Sequence, residues 1–427
     1  MSIWARILDN NLSSTLTVGA LEIEYPNGLK KRYGRDMRNP VRAKITSAKW
    51  VRRIVLDPEL ALGEAYMRSG LRIKDDNIYD LLDLIWTNLQ ASKKQVGMIP
   101  DMSRRLLRRL AQFNPISRAR KNVAHHYNIG NDFYALFLDD DLQYSCAYYT
   151  NRNDTLEQAQ AAKCALIADK LLLQPHHSLL EIGCGWGGLG LSIAQETGAK
   201  VTGITLSQEQ LNIAQQRMSA LNLSAQVDFK LEDYRISKGK YDRIVSVGMF
   251  EHVGVPHYQT YFNQVANLLN DDGVALIHTI GRPDSKGITN PWVAKYIFPG
   301  GYIPALSEIL PHIERAGLIV TDVEVLRLHY ADTLREWRRR FLVHVDDVAK
   351  QYGKEFARMW NFYLVASELS FRHNLHNVFQ IQLAKRQDAV PLTRDYLLCS
   401  SALCPGNEPG NEPGNDLGND LGGAALA

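Results

Sequence analysis

The chain has 427 residues, 45% of them hydrophobic, which is more than one typical core requires and sets an expectation of two domains with appendages. Its formal net charge of +3 is too small to argue for a nucleic-acid partner. That average conceals a basic region around Arg104 to Lys121 and an acidic tail.

The opening residues, Met1 to Asp9, lack the long apolar region and small-residue cleavage site of a secretory signal, so a cytoplasmic location is expected. No run approaches the ~18 apolar residues that span a bilayer, which limits any membrane contact to the periphery. The five cysteines are scattered, with neither metal spacing nor a disulfide framework, and Cys164 reads as a small buried thiol on a helix.

Residues 1–95 read as a small α+β accessory domain. Leu21 to Tyr25 alternates, Pro26-Asn27-Gly28 punctuates, and Leu29 to Tyr33 follows, which is the pattern of a hairpin. Ala61 to Met67 and Ile78 to Leu89 have helical spacing. No catalytic constellation lies here, and a docking or oligomerisation role is the expectation.

Residues 96–121 form a basic amphipathic linker. On a helix Leu106, Leu107, Leu110 and Phe113 share a face flanked by Arg104, Arg105, Arg108 and Arg109, which suits either anionic lipid headgroups or a clamp between domains. Residues 122–150 are dense in polar aromatics. The adjacent His125 and His126 lack a third ligand at regular spacing, so no metal site is expected. The segment is predicted to fold over the glycine-rich turn that follows and to close a pocket.

That turn organises the rest. Leu179-Leu180-Glu181-Ile182-Gly183-Cys184-Gly185-Trp186-Gly187-Gly188 is a short apolar run ending in an acid and alternating glycines, the way a buried strand enters a tight turn that lets a ligand approach the backbone. Gly183, Gly185 and Gly188 also satisfy the dinucleotide fingerprint. A nicotinamide cofactor, however, calls for an acid about 20 residues on, and Lys200 to Ser207 offers none. S-adenosylmethionine (SAM) is therefore favoured over a nicotinamide. Cys184 reads as a small packing residue within the turn.

From Leu179 strands and helices alternate. Strands are predicted near 179–183, 200–205, 226–231, 242–248, 273–280 and 318–328, with a helix over Ser207 to Leu221, which describes a doubly wound, mostly parallel α/β sheet. Ligands of such a sheet sit beyond the carboxyl ends of its strands, where Gly183, Thr205, Asp233, Glu251 and His278 would converge. Asp242, at the start of its strand, reads as structural. Thr333 to Phe371 looks like two long helices inserted before a last strand, Val378 to Lys385, and the catalytic domain is expected to span 122–390. Residues 391–427 end in imperfect Gly-Asn-Glu-Pro repeats that bury too little surface to order themselves, so a disordered tail is predicted.

Taken together, Tyr144 to Tyr148, Glu181 to Gly187, Gly203 to Gln210, Val247 to Gly254 and His278 to Gly281 resemble the cyclopropane-fatty-acid-acyl-phospholipid synthase family, over a stretch running from the N-terminal domain to about residue 387. The resemblance implies a Rossmann-like SAM-dependent methyltransferase core that turns a cis double bond of a phospholipid acyl chain into a cyclopropane ring. It implies a SAM site lined by Tyr144, Ser145, Glu181, Gly183, Gly185, Gly187, Thr205, Leu206, Ser207, Gln210, Asp233 and Tyr234. It further implies a bicarbonate held by Cys146, Glu251, His278, the backbone at Ile280 and Tyr330, with His329 the alternative to Tyr330. A phospholipid membrane surface is the expected partner, contacted from the inner face, and a homodimer is the expected assembly. Two other outcomes compete: a methyltransferase that leaves a methyl or methylene branch, and a lipid-binding module with an inactive core.

Overall fold

The computed structural model describes residues 1–36, 38–92, 130–284 and 286–397. The basic linker, the His125–His126 pair and the repeat tail lie outside the described residues.

An unforeseen helix, Ile3–Thr15, opens the chain, capped by Ser2, whose side chain accepts from the Ala5 backbone N–H. The predicted hairpin follows as β1 (Ala20–Glu24) and β2 (Lys30–Gly34), paired antiparallel across the turn at Gly28. With β3 (Val41–Ile45), parallel to β1, and β4 (Leu71–Ile73), it makes a four-stranded sheet ordered β2-β1-β3-β4. Helices Ala48–Leu56, Pro58–Met67 and Ile78–Ser92 pack around it, and Pro58 sits at the first helical position, where a missing N–H costs nothing.

The second sheet has seven strands: β5 (Ser178–Ile182), β6 (Lys200–Thr205), β7 (Val227–Leu231), β8 (Tyr241–Val247), β9 (Leu269–Gly281), β10 (Ile319–Val325) and β11 (Asn377–Ala384). Their order is β10-β11-β9-β8-β5-β6-β7, with β9, β8, β5, β6 and β7 parallel and β11 antiparallel to both its neighbours, so that the edge strand β10 runs with β9. Chain direction across the sheet reverses at β5 and β8, since β6 and β7 extend one way from β5, and β8 and β9 the other. This is the switch point where an open α/β sheet leaves a crevice. β5 is buried along nearly its whole length, as the inner strand of a doubly covered sheet must be. Asp242 is structural as expected: its carboxylate accepts from the Ser178 backbone N–H and hydroxyl, both at 2.8 Å, and so ties β8 to β5.

Two sequence expectations are corrected. The strand predicted to run to 328 stops at Val325, because Arg327 adopts a positive φ of 34° that turns the chain into a helix. The helical insertion has three helices in place of two, His329–Val343, Val345–Tyr352 and Lys354–Arg372, broken at His344, which leaves the helical region at φ −106° and ψ 8°, and at Gly353, whose φ of 92° no helix admits. Residues 391–397, expected with the tail, pack against the large sheet: Tyr396 accepts from Gln382 at 3.1 Å and Arg394 pairs with Asp322 at 3.1 Å.

The insertion joins the two sheets. Asn361 donates to the Tyr66 hydroxyl at 3.1 Å and Arg358 to the Ser69 hydroxyl at 2.7 Å. Beside them Glu64, fully buried, is paired with Arg53 and with Lys295 at 2.7 Å, and accepts from Tyr296. Those donors hold its carboxyl down to about 2 against the opposing effect of burial. The accessory domain is therefore built into the same apolar core as the insertion, which runs from Leu8 through Tyr66 and Trp292 to Phe371.

Candidate active site

A pocket opens at the carboxyl ends of β5, β6 and β8. Ten of the twelve residues named for the SAM site line it: Tyr144, Ser145, Glu181, Gly183, Gly185, Thr205, Leu206, Gln210, Asp233 and Tyr234. Gly183 and Gly185 hold φ of 89° and 54°, the left-handed conformation that glycine adopts freely. They differ in surroundings. A Cβ on Gly183 would meet Met249 Cβ at 2.9 Å, whereas one on Gly185 would find nothing nearer than Gln210 Nε2 at 3.9 Å.

The other two residues serve the fold. Gly187 caps the helix Gly188–Thr197 at a φ of 81° and lies so near Phe229 and Ala214 that a Cβ would clash. Ser207 caps the helix Gln208–Ala220, accepting from the Gln210 N–H at 3.3 Å. Asp233 is held by Arg235 through two contacts of 2.8 and 2.6 Å.

The segment before the core closes over this pocket. Trp186 of the turn donates to Asn131 at 2.7 Å and lies 5.0 Å from the Tyr134 ring, and Arg217 reaches across to Asp141. Tyr144 stacks on Trp337 of the insertion at 5.1 Å and shares a 2.9 Å hydrogen bond with Tyr363. Tyr330, buried, packs against Trp337 and Phe371. Its neighbour His329 turns elsewhere, stacking on Tyr148 at 4.8 Å and accepting from the Tyr149 N–H, so Tyr330 is the residue of that pair inside the aromatic cluster.

Beside the pocket lie the carboxyl ends of β8 and β9. Glu251 Oε1 accepts the Ile280 backbone N–H at 2.6 Å. Its Oε2 is buried with no hydrogen-bond partner among the described residues, and burial lifts the carboxyl to about 7. The Ile280 amide hydrogen is thereby spoken for, and its carbonyl accepts from the Thr279 hydroxyl at 3.2 Å. His278 Nδ1 lies 3.1 Å from Gln380 Nε2, and burial pushes the imidazole down to about 3, so it is neutral. Cys146 is fully buried, its thiol donating to the Ala147 carbonyl at 3.3 Å, and no nucleophilic role is open to it.

Sequence reasoning missed Lys163. Its ammonium, fully buried, donates to Ser145 at 3.1 Å and to Gln143, and its charge opposes the burial that raises Glu181 to about 8. Ala159, Lys163 and Ile167 repeat every four residues on one buried helix face, and a lysine in that row was the available signal. Met249 and His252, which also line the pocket, flank the quoted Glu251.

The residues present fit a SAM molecule: a glycine turn open to a ligand, buried polar atoms without partners at Glu181 Oε2 and Gln143 Nε2, and apolar walls of Trp186, Met249 and Val253. An oxyanion that carries an O–H would find an acceptor in the orphaned Glu251 Oε2 and a donor in the neutral His278.

Comparison with known proteins agrees. The family model described as mycolic acid cyclopropane synthetase matches residues 115–381, and one for a domain of unknown function matches residues 7–95. The cyclopropane-fatty-acyl-phospholipid synthase of Escherichia coli (strain K12) is 35% identical over 350 residues, 81% of this chain and 88% of the relative. A probable fatty acid methyltransferase of Pseudomonas putida is 39% identical over 285 residues, 64% of this chain and 72% of the relative. Among solved structures, the cyclopropane synthase MmaA2 from Mycobacterium tuberculosis superposes with a TM-score of 0.60 at 31% identity, covering 64% of this chain and 99% of that one. The mycolic acid cyclopropane synthase CmaA1 complexed with SAH and CTAB gives 0.59 at 32%, with the same coverage. The chain belongs to the mycolic acid cyclopropane synthetase family, the SAM-dependent cyclopropane-fatty-acyl-phospholipid synthases and related fatty acid methyltransferases.

Proposed function

We propose that the protein transfers the methyl carbon of SAM to a cis double bond in a phospholipid acyl chain and closes a cyclopropane ring with loss of one proton. The observation that supports this best is the continuity of two regions. Tyr144 lines the polar cleft at the glycine turn, and its ring packs against Tyr134 and Trp337, which joins the cleft to a buried aromatic cluster that includes Tyr330 and Tyr363.

When bound, SAM supplies an electrophilic methyl group. The residues proposed to hold it are Tyr144, Ser145, Glu181, Gly183, Gly185, Thr205, Leu206, Gln210, Asp233 and Tyr234. An alkene is a weak nucleophile, so the pocket's main task is to fix the double bond in line, an orientation effect able to contribute ~7–11 kcal/mol. Aromatic faces of Tyr144, Tyr330 and Trp337 then stabilise the positive charge that develops on the acyl chain. Their burial excludes the water that would trap the cation as an alcohol.

Bicarbonate, when bound, supplies a base small enough to sit beside the chain. Glu251 Oε2 offers an acceptor for its O–H, while His278 and Tyr330 offer donors to its oxygens. The resemblance also names Cys146 and the Ile280 backbone, whose thiol and amide are already committed to the Ala147 carbonyl and to Glu251.

The same reading has the protein act as a homodimer at the inner membrane face, with the basic residues 104–121 drawn to anionic headgroups. The experiment is incubation with SAM and cis-unsaturated phospholipid vesicles, followed by fatty-acid analysis. A gain of CH₂ with high-field ring protons is expected. The 39% identity to a probable fatty acid methyltransferase favours a second reading, a branched product, which would give a methylene or methyl signal and no ring. SAM binding without any product would leave an inactive lipid-binding module.

A further inference from the structure

His278 stands on β9 directly across from Gln380 on β11, paired in register, and both are buried. Gln380 Nε2 is 3.1 Å from His278 Nδ1, and Gln380 Oε1 is 2.6 Å from the ammonium of Lys170. Lys170 ends the helix Leu156–Lys170. It is itself fully buried, is paired with Glu324 of β10, and is fastened by its own carbonyl, which accepts from Gln382 at 2.6 Å.

Each partner in this row has only one way to face. A lysine ammonium has donors and no acceptor, so it takes the oxygen of the Gln380 amide. The amide nitrogen must then face the imidazole, and that nitrogen only donates. Nδ1 of His278 is therefore an acceptor without a hydrogen, and the neutral ring carries its proton on Nε2. Nε2 makes no hydrogen bond among the described residues. Burial pulls the Lys170 ammonium down from its ordinary range while the Glu324 carboxylate opposes that loss, which keeps the donor in place.

We propose that Lys170 and Gln380 are positioning residues that set the tautomer of His278, so that the ring presents an N–H donor at Nε2 to a bound oxyanion. The assignment of the anion rests on the function proposed above, whereas the tautomer rests on the geometry alone. With the opposite tautomer a ring lone pair would face a negatively charged oxygen, and the site would repel the anion it is meant to hold.

The test uses the full chain labelled with ¹⁵N-histidine, with His278 assigned by its loss in His278→Gln. Two-bond proton–nitrogen spectra of the wild type should show Nε2 protonated and Nδ1 bare. Gln380→Glu places a carboxylate against both Lys170 and His278, and because a carboxylate only accepts, Nδ1 should become protonated. The bicarbonate concentration for half-maximal activity should rise roughly tenfold or more while the KM for SAM stays put. Lys170→Met frees the amide to rotate and should give a mixture of tautomers with a smaller rise. This variant also serves where Gln380→Glu does not fold. A wild-type ring protonated on Nδ1, or a Gln380→Glu spectrum unchanged from wild type, would overturn the proposal. So would a swapped tautomer with no change in the bicarbonate requirement of an enzyme that needs bicarbonate. Wild-type catalysis indifferent to bicarbonate would instead remove the anion reading, and the spectra would still decide the tautomer.

Discussion

The hydroxyls of Tyr144 and Tyr363 share a hydrogen bond of 2.9 Å across 219 positions of sequence, joining the segment that precedes the core sheet to the helical insertion before its last strand. The pocket's aromatic wall is thus assembled from both ends of the catalytic domain. Burial pushes both phenols up, Tyr363 to about 12, so neither ionises at neutral pH.

Tyr363→Phe keeps the ring and removes the hydroxyl. It should destabilise the fold by only about 1 kcal/mol, the net worth of a neutral hydrogen bond. Turnover should fall several-fold, with SAM affinity unchanged, because what loosens is the orientation of Tyr144 and Trp337. Denaturant unfolding, a SAM titration and turnover on vesicles separate the three quantities. Wild-type turnover would show that the pair is structural alone.

The glycine turn offers a cleaner test at Gly185 than at Gly183. A side chain at Gly183 would collide with Met249 in addition to straining a φ of 89°, so Gly183→Val confuses local packing with ligand loss. At Gly185 the Cβ has room, and the left-handed backbone costs about 1–2 kcal/mol. Gly185→Ala should therefore fold, yet lose SAM affinity at least tenfold as the methyl enters the pocket. Calorimetry decides it, and unchanged affinity would take the turn's second glycine out of the cofactor site.

Much of this site was legible in the sequence because the turn's chemistry is local. Glu181 to Gly187 announces a strand, a tight turn and a helix within ten residues, and the strands that follow repeat the βα period. The row Lys170, Gln380 and His278 was not legible, since a helix end and two antiparallel strands 102 residues apart bring it together. The three-helix insertion was misread as two for a related reason: Gly353 marks one break by its residue type, whereas the other falls at His344, which no glycine or proline announces. Gly187 and Ser207 illustrate the converse. They belong to the quoted motifs, but their positions are explained by helix capping.

Glu181 and Glu251 should make ligand-free stability fall as pH rises. Each carboxyl is raised in the folded chain, to about 8 and about 7, from an ordinary 4.5. A raised carboxyl stabilises fully below its unfolded value and loses that contribution as pH climbs through the folded one. The loss should therefore accumulate between about pH 5 and 8, on the order of a few kcal/mol. His252 and His278, pulled down by burial from 6.5 to about 4 and about 3, work in the opposite direction up to about pH 6.5, so the net fall shows mainly above that pH. The difference between wild type and Glu181→Gln isolates the carboxyl, and the variant's curve should be the flatter. Calorimetry in buffers of different ionisation enthalpy should also show proton release when cationic SAM binds at pH 7, reduced in Glu181→Gln. Equal release by both would assign the proton elsewhere.

Salt should weaken activity on anionic vesicles. Attraction of Arg104, Arg105, Arg108 and Arg109 to the surface decays within a Debye length of ~8 Å at physiological ionic strength, and each basic residue near the surface contributes ~1 kcal/mol. Replacing all four by Gln should reduce sedimentation with vesicles at low salt and remove most of the salt dependence. Equal sedimentation of variant and wild type would make this stretch a linker between domains.

The final prediction concerns the proton that the new methyl group must lose. Glu251 Oε1 is committed to the Ile280 N–H, so in Glu251→Gln the amide oxygen has to take that place and the NH₂ falls where Oε2 stood. An acceptor for the anion's O–H becomes a donor, at nearly constant volume. The variant should fold and bind SAM as the wild type does, yet lose turnover by at least a hundredfold. Wild-type activity should drop under rigorous CO₂ depletion and return with added bicarbonate. His278→Ala removes one hydrogen bond to a charged group, worth ~1.5–3 kcal/mol, and should raise the bicarbonate requirement roughly ten- to a hundredfold. Full activity of Glu251→Gln without bicarbonate would sink the scheme. The base would then have to be a protein side chain, and Tyr330, buried against Trp337 and Phe371, would be the first to replace.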